Sequence, residues 1–315
     1  MKFRCTLLCV ALLALAGAAR AQTPGAGANA GQSRDIVQST TLGPALNPGL
    51  HALLSVGTRF QPDTEWDTGG RSRVARENVS GGLTWFQSPT LQFGAVADHE
   101  VSRYEFDGPA VDPTWIAQPG EMRVERVSAT VRRPLDGEWS LFAAVDGTWA
   151  LARGASYADA FTYGGMISAR GQVATNFALT FGLFAHTRLE ANVRVLPIPG
   201  IEWQINNDWK LATAQGLTLT RKINKRWSAD FAVLVENREY RMPAEQPFNG
   251  GIFRDRSVPV ITSLRWSPNP AMFAQLSVGV NPWQQQRLTD RPDAPDLTEQ
   301  SHWSPSLALT GGVRF

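Results

Sequence analysis

The residue types that could do chemistry are few in this chain, and they are scattered. The histidines are His51, His99, His186 and His302, and none stands in an H-E-x-x-H or other paired spacing that would bring two imidazoles to one metal. No G-x-S-x-G occurs, so the nucleophile elbow of serine hydrolases is missing. A histidine could act as a base with a carboxylate to orient it at Asp98-His99-Glu100, or at His186 near Glu190; both also read as polar rim or interior residues. The acidic groups Asp63, Glu65 and Asp67, then Asp107 and Asp112, then Asp290, Asp293 and Asp296, could meet divalent cations or stand simply solvated. Cys5 and Cys9 are the only cysteines and fall in the leader described below, so disulfides and thiolate metal sites are excluded beyond it. No cofactor, no metal and no enzymatic activity is expected.

A second set of charges is more regular. Arg59, Arg132, Arg238, Arg265 and Arg314 stand against Asp98, Glu100, Asp146, Glu202, Asp230 and Glu236, and each alternates with apolar neighbours. Alternation is what positions them. Trp139, Leu141, Ala143, Val145, Gly147, Trp149 and Leu151 form one two-residue rhythm; Trp227, Ala229, Phe231, Val233 and Val235 form another; Leu307, Leu309, Gly311, Val313 and Phe315 form a third. A strand sends successive side chains to opposite faces, so one face is apolar and the other polar.

The N-terminus supplies the context. Lys2 and Arg4 precede an apolar stretch over about residues 6–18, and Ala19-Arg20-Ala21 has the A-x-A spacing of a cleavage site. Residues 1–21 are expected to be a secretory signal peptide. The apolar run is shorter than the roughly 20 residues of a spanning helix. Residues 22–48, rich in Gly, Ala and Pro, read as a flexible periplasmic tail. Without Lys2, Arg4 and Arg20 the net charge of +2 becomes −1, which gives no support for nucleic-acid binding.

Many alternating segments behind a secretory signal predict an all-β fold, a single transmembrane antiparallel β-barrel over 49–315. The strands are expected at 49–60, 77–87, 90–106, 121–133, 138–151, 162–171, 175–187, 197–205, 208–214, 216–222, 227–241, 257–267, 271–281 and 305–315. That is about 14 strands, with 12 or 16 possible because 208–214 and 216–222 are short. Short turns alternate with long connections at 61–76, 107–120, 152–161, 188–196, 242–256 and 282–304. A phase slip between Val124 and Val127 suggests a bulge near Glu125.

Trp85, Trp139, Trp203, Trp209, Trp227 and Trp266 each lie beside a short turn, as expected of a girdle at the periplasmic membrane boundary, where the ring is in apolar surroundings and its N–H stays wet. Tyr104, Trp149 and Tyr163 suggest the outer girdle. Charge facing lipid near midplane costs roughly 2–4 kcal/mol for Arg or Lys, so the alternating charges are expected to line the lumen.

Two segments carry a resemblance. Thr310-Gly311-Gly312-Val313-Arg314-Phe315 resembles the C-terminal strand of bacterial outer-membrane proteins, which implies that Phe315 is an assembly signal for the barrel-insertion machinery. The run Leu196-Pro197-Ile198-Pro199-Gly200-Ile201-Glu202-Trp203, with Trp209-Lys210-Leu211 and Arg238-Glu239-Tyr240-Arg241, resembles an uncharacterised family of exported β-barrel proteins, a domain of unknown function. It implies a barrel and transfers no catalytic residue.

The expectation is an outer-membrane protein meeting lipid and lipopolysaccharide, of open oligomeric state. A passive pore for small polar solutes leads. A non-conducting structural or surface-interaction barrel is the alternative, and a rim enzyme follows.

Overall fold

The computed structural model describes residues 49–88, 91–108, 112–116, 120–135, 138–189, 193–213, 216–245, 247–289 and 296–315. The expected signal peptide and tail, and Glu190, Asp290 and Asp293, lie outside these residues. The strands are β1 (Gly49–Glu65), β2 (Arg71–Ser88), β3 (Leu91–Asp107), β4 (Glu121–Pro134), β5 (Trp139–Ala152), β6 (Phe161–Ala174), β7 (Phe177–His186), β8 (Arg194–Gln204), β9 (Trp209–Ala212), β10 (Gly216–Lys222), β11 (Trp227–Leu234), β12 (Glu236–Arg241), β13 (Ile252–Ser257), β14 (Val260–Asn269), β15 (Met272–Asn281), β16 (Gln284–Thr289), β17 (Leu297–Ser301) and β18 (Ser304–Arg314). One helical turn, α1 (Pro113–Ile116), follows β3.

Consecutive strands pair from β1 to β11; β11 then pairs with β14, β14 with β15, β15 with β18, and β18 with β1. The result is a closed 14-strand antiparallel β-barrel. Both short segments, β9 and β10, are separate strands in its wall. The short turns gather at one end, hereafter the turn end. Asn206 and Asn224 close two of them: each side-chain oxygen accepts from two backbone N–H groups, those of Asp208 and Trp209 and those of Arg226 and Trp227, at 2.8–3.0 Å. The chain terminus lies at the same end, where the Phe315 N–H donates to the Ala52 carbonyl and Ala52 returns the bond.

Over most of the wall the outward face is apolar. Val145, Ile167, Phe181, Leu183, Leu276, Leu307 and Leu309 are all exposed there. Such a continuous apolar surface has no place in water and suits lipid. Inward from the same strands point Ser55, Asn78, Ser80, Asp98, Ser168, Thr180, Ser263 and Ser277.

Toward the other end, the loop end, this polarity inverts. On β2 the outward series Trp85, Leu83, Val79 continues as Glu77, Arg73 and Arg71, while the inward series Thr84, Ser80, Asn78 continues as Val74. On β4 the inward Val124 and Met122 are fully buried, and Arg123 points out. The outward charges pair across strands, Arg71 with Asp107, Arg73 with Asp63 and Glu105, and Arg103 with Glu77. The neighbouring guanidiniums hold Asp63 and Asp107 below the usual carboxylate range, chiefly through hydrogen bonds from Arg73 and Arg71. This end is built like a water-soluble barrel, apolar inside and charged outside.

That inversion corrects several expectations. The register of β4 against both neighbours is unbroken through Glu125, so no bulge exists there; the phase slip marks the change of solvent. The expected long loop 61–76 is mostly strand, turning only over 66–70. The expected loops 242–256 and 282–304 contain β13, β16 and β17. Tyr104 is not an outer girdle residue: it points inward and is buried.

These additional strands have a particular course. At Val235, Pro259, Pro282 and Trp303 the chain bends and leaves the wall on four neighbouring strands at one level, and at two of them proline cannot donate to the ladder. Trp303 takes the left-handed conformation, φ 58°, that the bend imposes. Beside the bend, Gly216 has φ 142°, and an added Cβ would overlap the Val233 carbonyl. Beyond it β12, β13, β16 and β17 form a sheet that leaves the wall. One edge reaches β5, where Arg241 pairs with Leu151. The other reaches the β1–β2 turn, where Trp66 bridges Ser301. β6 to β10 take no part, so the loop end closes on a narrower ring. Its interior is filled by Trp66, Tyr104, Phe106, Trp115, Met122, Tyr240, Met242, Phe253 and Leu288.

Candidate functional site

The lumen has three levels. The first is the underside of the inward sheet, which latches onto β1, β2 and β3. Arg59 of β1 donates to both carboxylate oxygens of Glu236 at 2.9 and 3.0 Å. Glu236 also accepts from Arg238 at 2.9 Å, and Arg238 reaches Glu100 of β3 at 2.9 Å. Just beyond, Arg76 of β2 and Tyr104 of β3 both donate to Asp255 of β13, at 2.5 and 2.9 Å, and Gln284 donates to the other Asp255 oxygen at 2.8 Å. Gln61 donates to Gln284 at 2.6 Å, and the Tyr240 hydroxyl meets Ser102 at 3.2 Å. Arg76 is 5% exposed and Asp255 2%. Arg59, Arg76 and Arg238 face Glu100, Glu236 and Asp255, so the latch is electrically neutral. Buried charges persist only when paired with opposite charge and hydrogen-bonded, as these are.

Two further ion pairs brace the sheet from β7 outward. Glu239 accepts from Arg188 at 2.8 Å and from Arg254 at 2.9 Å. Arg241 donates to the carbonyls of Asp159, Leu189 and Gly250.

The second level lies below the latch. A cavity of about 190 Å³ is bounded by Arg59, Asn78, Glu100, Gln275, Ser277 and Thr310. Asp98 pairs with Arg126 at 3.2 Å, and Asp146 lies 3.9 Å from the His186 ring, which stacks on Phe184.

The third level is the mouth at the turn end. Glu202 of β8 takes Arg170 of β6 at 3.2 Å and Lys210 of β9 at 3.3 Å, and Arg132 of β4 is the electrostatic neighbour of Arg170 and Glu202. Asp230 accepts from Thr220 at 2.6 Å. Arg265 stacks over Phe273, 3.9 Å from the ring centre, with Arg314 and Asp230 as its charged neighbours.

The alternating charges picked from sequence thus fall into three groups. Arg59, Glu100, Glu236 and Arg238 meet in the latch. Asp98 and Asp146 belong to the middle. Arg132, Glu202, Asp230, Arg265 and Arg314 surround the mouth. Sequence reasoning missed Arg76, Asp255, Gln61 and Gln284 because they stood in segments read as loops. Their signal was present: Phe253-Arg254-Asp255-Arg256-Ser257 alternates, with charge where apolar residues were sought.

The arrangement of His99 with Asp98 and Glu100 is not formed, and Glu190, the expected neighbour of His186, lies outside the described residues. His99 points outward, opposite to Asp98 and Glu100, and its neighbour is Glu125 of the adjacent strand at 3.7 Å. Among the described residues no group of three or more His, Cys, Asp or Glu converges as a metal site.

The girdle tryptophans all belong to the outward face. Trp85, Trp139, Trp227 and Trp266 are exposed, Trp227 paired across strands with Trp266; Trp203 and Trp209 are half-buried, with Arg221 over the Trp209 ring. Phe315 is 76% exposed at the end of the closing strand.

The fold is similar to those of solved outer-membrane channels. The COG4313 outer membrane channel from Pseudomonas putida F1 aligns over 87% of this chain and 100% of its own, with 9% identity and a TM-score of 0.48. The P. putida toluene transporter TodX aligns over 86% and 91%, with 10% identity and a TM-score of 0.44. A Pseudomonas aeruginosa FadL homologue aligns over 84% and 90%, with 11% identity and a TM-score of 0.43. A comparison with curated protein sequences finds no match. The model of one family matches residues 117–300, which span β4 to β16 and the Pro-Gly-Ile-Glu-Trp and Arg-Glu-Tyr-Arg segments, and the chain belongs to that family, Domain of unknown function (DUF6268).

Proposed function

We propose that the protein is an outer-membrane channel for small polar solutes, closed in this conformation by its inward sheet. The observation that carries this reading is the composition of the closure beneath the bend. An apolar-belted barrel encloses a polar cavity, and what seals that cavity is a set of exchangeable ion pairs between separate elements. Arg59, Glu236, Arg238 and Glu100 alternate in sign, so each could re-pair with another member or with a passing charged solute. The short turns and Trp girdle would face the periplasm, and the charged loop end would meet lipopolysaccharide. The outward Leu307, Leu309 and Phe315 of β18 would be read by the assembly machinery.

The apolar packing at the loop end favours a second reading, a non-conducting barrel with a stable outer cap. Trp66, Phe106, Trp115 and Phe253 form a dry core that no solute could cross without displacing it.

Planar-bilayer recording of the refolded mature chain separates the two. A channel gives discrete openings, more frequent in Glu236→Gln and Arg238→Gln, which unlatch the sheet. A silent bilayer from protein that still migrates as a folded barrel in unboiled gels would overturn the channel reading.

A further inference from the structure

The charges of the lumen are not spread evenly. The latch is neutral, and the middle level holds the Arg126–Asp98 pair and Asp146 beside His186, but the mouth carries more cations than anions. Arg132, Arg170, Lys210, Lys222, Arg265 and Arg314 all project from the inward register of their strands at the turn end. Against them, among the described residues of the same face, stand Glu202, Asp230 and the C-terminal carboxylate of Phe315. The described residues of the turns, Arg133, Lys225 and Arg226 with Glu138 and Asp208, do not reverse this balance.

The excess is concentrated where it can act. Glu202 is shared by Arg170 and Lys210, with Arg132 beside them. Across the mouth Arg265 has Arg314 and Asp230 as its charged neighbours, and Asp230 is already engaged by Thr220. Guanidinium groups held apart around a wet opening attract and bind anions: the fork geometry fits carboxylate and phosphate oxygens, and the low-dielectric wall focuses the field into the lumen.

We propose that this mouth is an anion-binding vestibule, and that the solutes the barrel takes are small anions bearing a carboxylate or phosphate group. As a statement about what passes, it rests on the channel reading; as a statement about binding, it does not. The two are therefore measured separately.

Equilibrium dialysis of radiolabelled acetate and of inorganic phosphate against the detergent-solubilised barrel reads binding without conduction. Saturable uptake of either anion is expected, weakened several-fold in the Arg132→Gln/Arg170→Gln variant and again in Arg265→Gln, with gel migration confirming that each variant is folded. Acetate in preference to phosphate would assign carboxylates as the ligand, and the reverse would assign phosphates. Absence of saturable uptake of both anions, or uptake unchanged by all three substitutions, overturns the vestibule. Where the bilayer conducts, a salt gradient must give a reversal potential of anion-selective sign that shifts toward cations in the same variants; a cation-selective wild type overturns the proposal. Saturable binding by a barrel that never conducts would keep the vestibule and sink the channel.

Discussion

A buried arginine is stable only with its counter-charge, and Arg76 is the sharpest case in this molecule. Its guanidinium projects from β2 into the junction between lumen and cap, and its Nη2 donates to both Asp255 and the Tyr104 hydroxyl. Asp255 is itself held by three donors from three strands, so its side chain is the knot that ties β13 to β2, β3 and β16. Removing one partner of such a pair leaves an uncompensated charge, at a cost of about 3–5 kcal/mol, whereas a neutral isostere keeps part of the hydrogen bonding. Asp255→Ala is therefore expected to lower stability by that amount and Asp255→Asn by only somewhat less, because asparagine keeps some hydrogen bonds but still leaves Arg76 without its counter-charge. Urea unfolding in vesicles, followed by tryptophan fluorescence, measures both. An asparagine variant as stable as the wild type would mean that shape and hydrogen bonding, and not the charge pair, hold the sheet.

At the scale of elements, the inward sheet β12–β13–β16–β17 depends on two kinds of packing, the polar latch below and the aromatic core above. Phe253 joins them, meeting Tyr104 at 5.0 Å, Trp115 at 5.9 Å and Tyr240 at 6.0 Å between ring centres. Truncating a fully buried aromatic leaves a cavity and costs about 3–5 kcal/mol. Phe253→Ala is expected to loosen the cap while the wall strands stay paired. Protease added to intact cells would then cut within 242–256 or 282–304 in the variant and spare the wild type, and the heat-dependent gel shift of the wall would persist. Loss of that shift as well would show that cap and wall unfold as one unit. The wall was legible in the sequence and the cap was not, for one physical reason. Alternation reveals a strand when its outward face meets lipid, so 138–151, 227–241 and even the short 208–214 and 216–222 could be read. Where a strand rises into water the pattern is reversed, and Val124 beside Glu125 looks like a bulge while Arg254-Asp255-Arg256 looks like a loop. The latch charges of β12 were found because 227–241 starts in the membrane; the second pair of the latch, Arg76 of β2 with Asp255 of β13, was hidden in the reversed segments. The grouping of charges into a neutral latch and a cationic mouth needed the register, which no single strand contains.

The whole molecule is one sheet passing through two solvents. Its outward face changes from Val145 and Ile167 to Arg103 and Arg123 within a few residues along neighbouring strands, and the inner face changes in the opposite sense at the same height. This coincidence follows from the requirement that each side of the wall match what it touches. It also predicts what a single charge must do at each height. Val145 is 63% exposed near the middle of the apolar belt, so it faces no protein that a longer side chain could disturb. An arginine there meets hydrocarbon, and Val145→Arg is expected to destabilise the barrel by about 2–4 kcal/mol in phospholipid vesicles. Glu65→Arg places the same group on the outward face of the loop end, opposite Arg71 in water, and should cost no more than about 1 kcal/mol. The pair isolates the solvent as the variable, since both positions are exposed and both receive the same side chain. Urea titrations of the two variants in vesicles decide it: if Val145→Arg proves as benign as Glu65→Arg, the belt does not lie in lipid, and the inversion of polarity along the strands has some other cause.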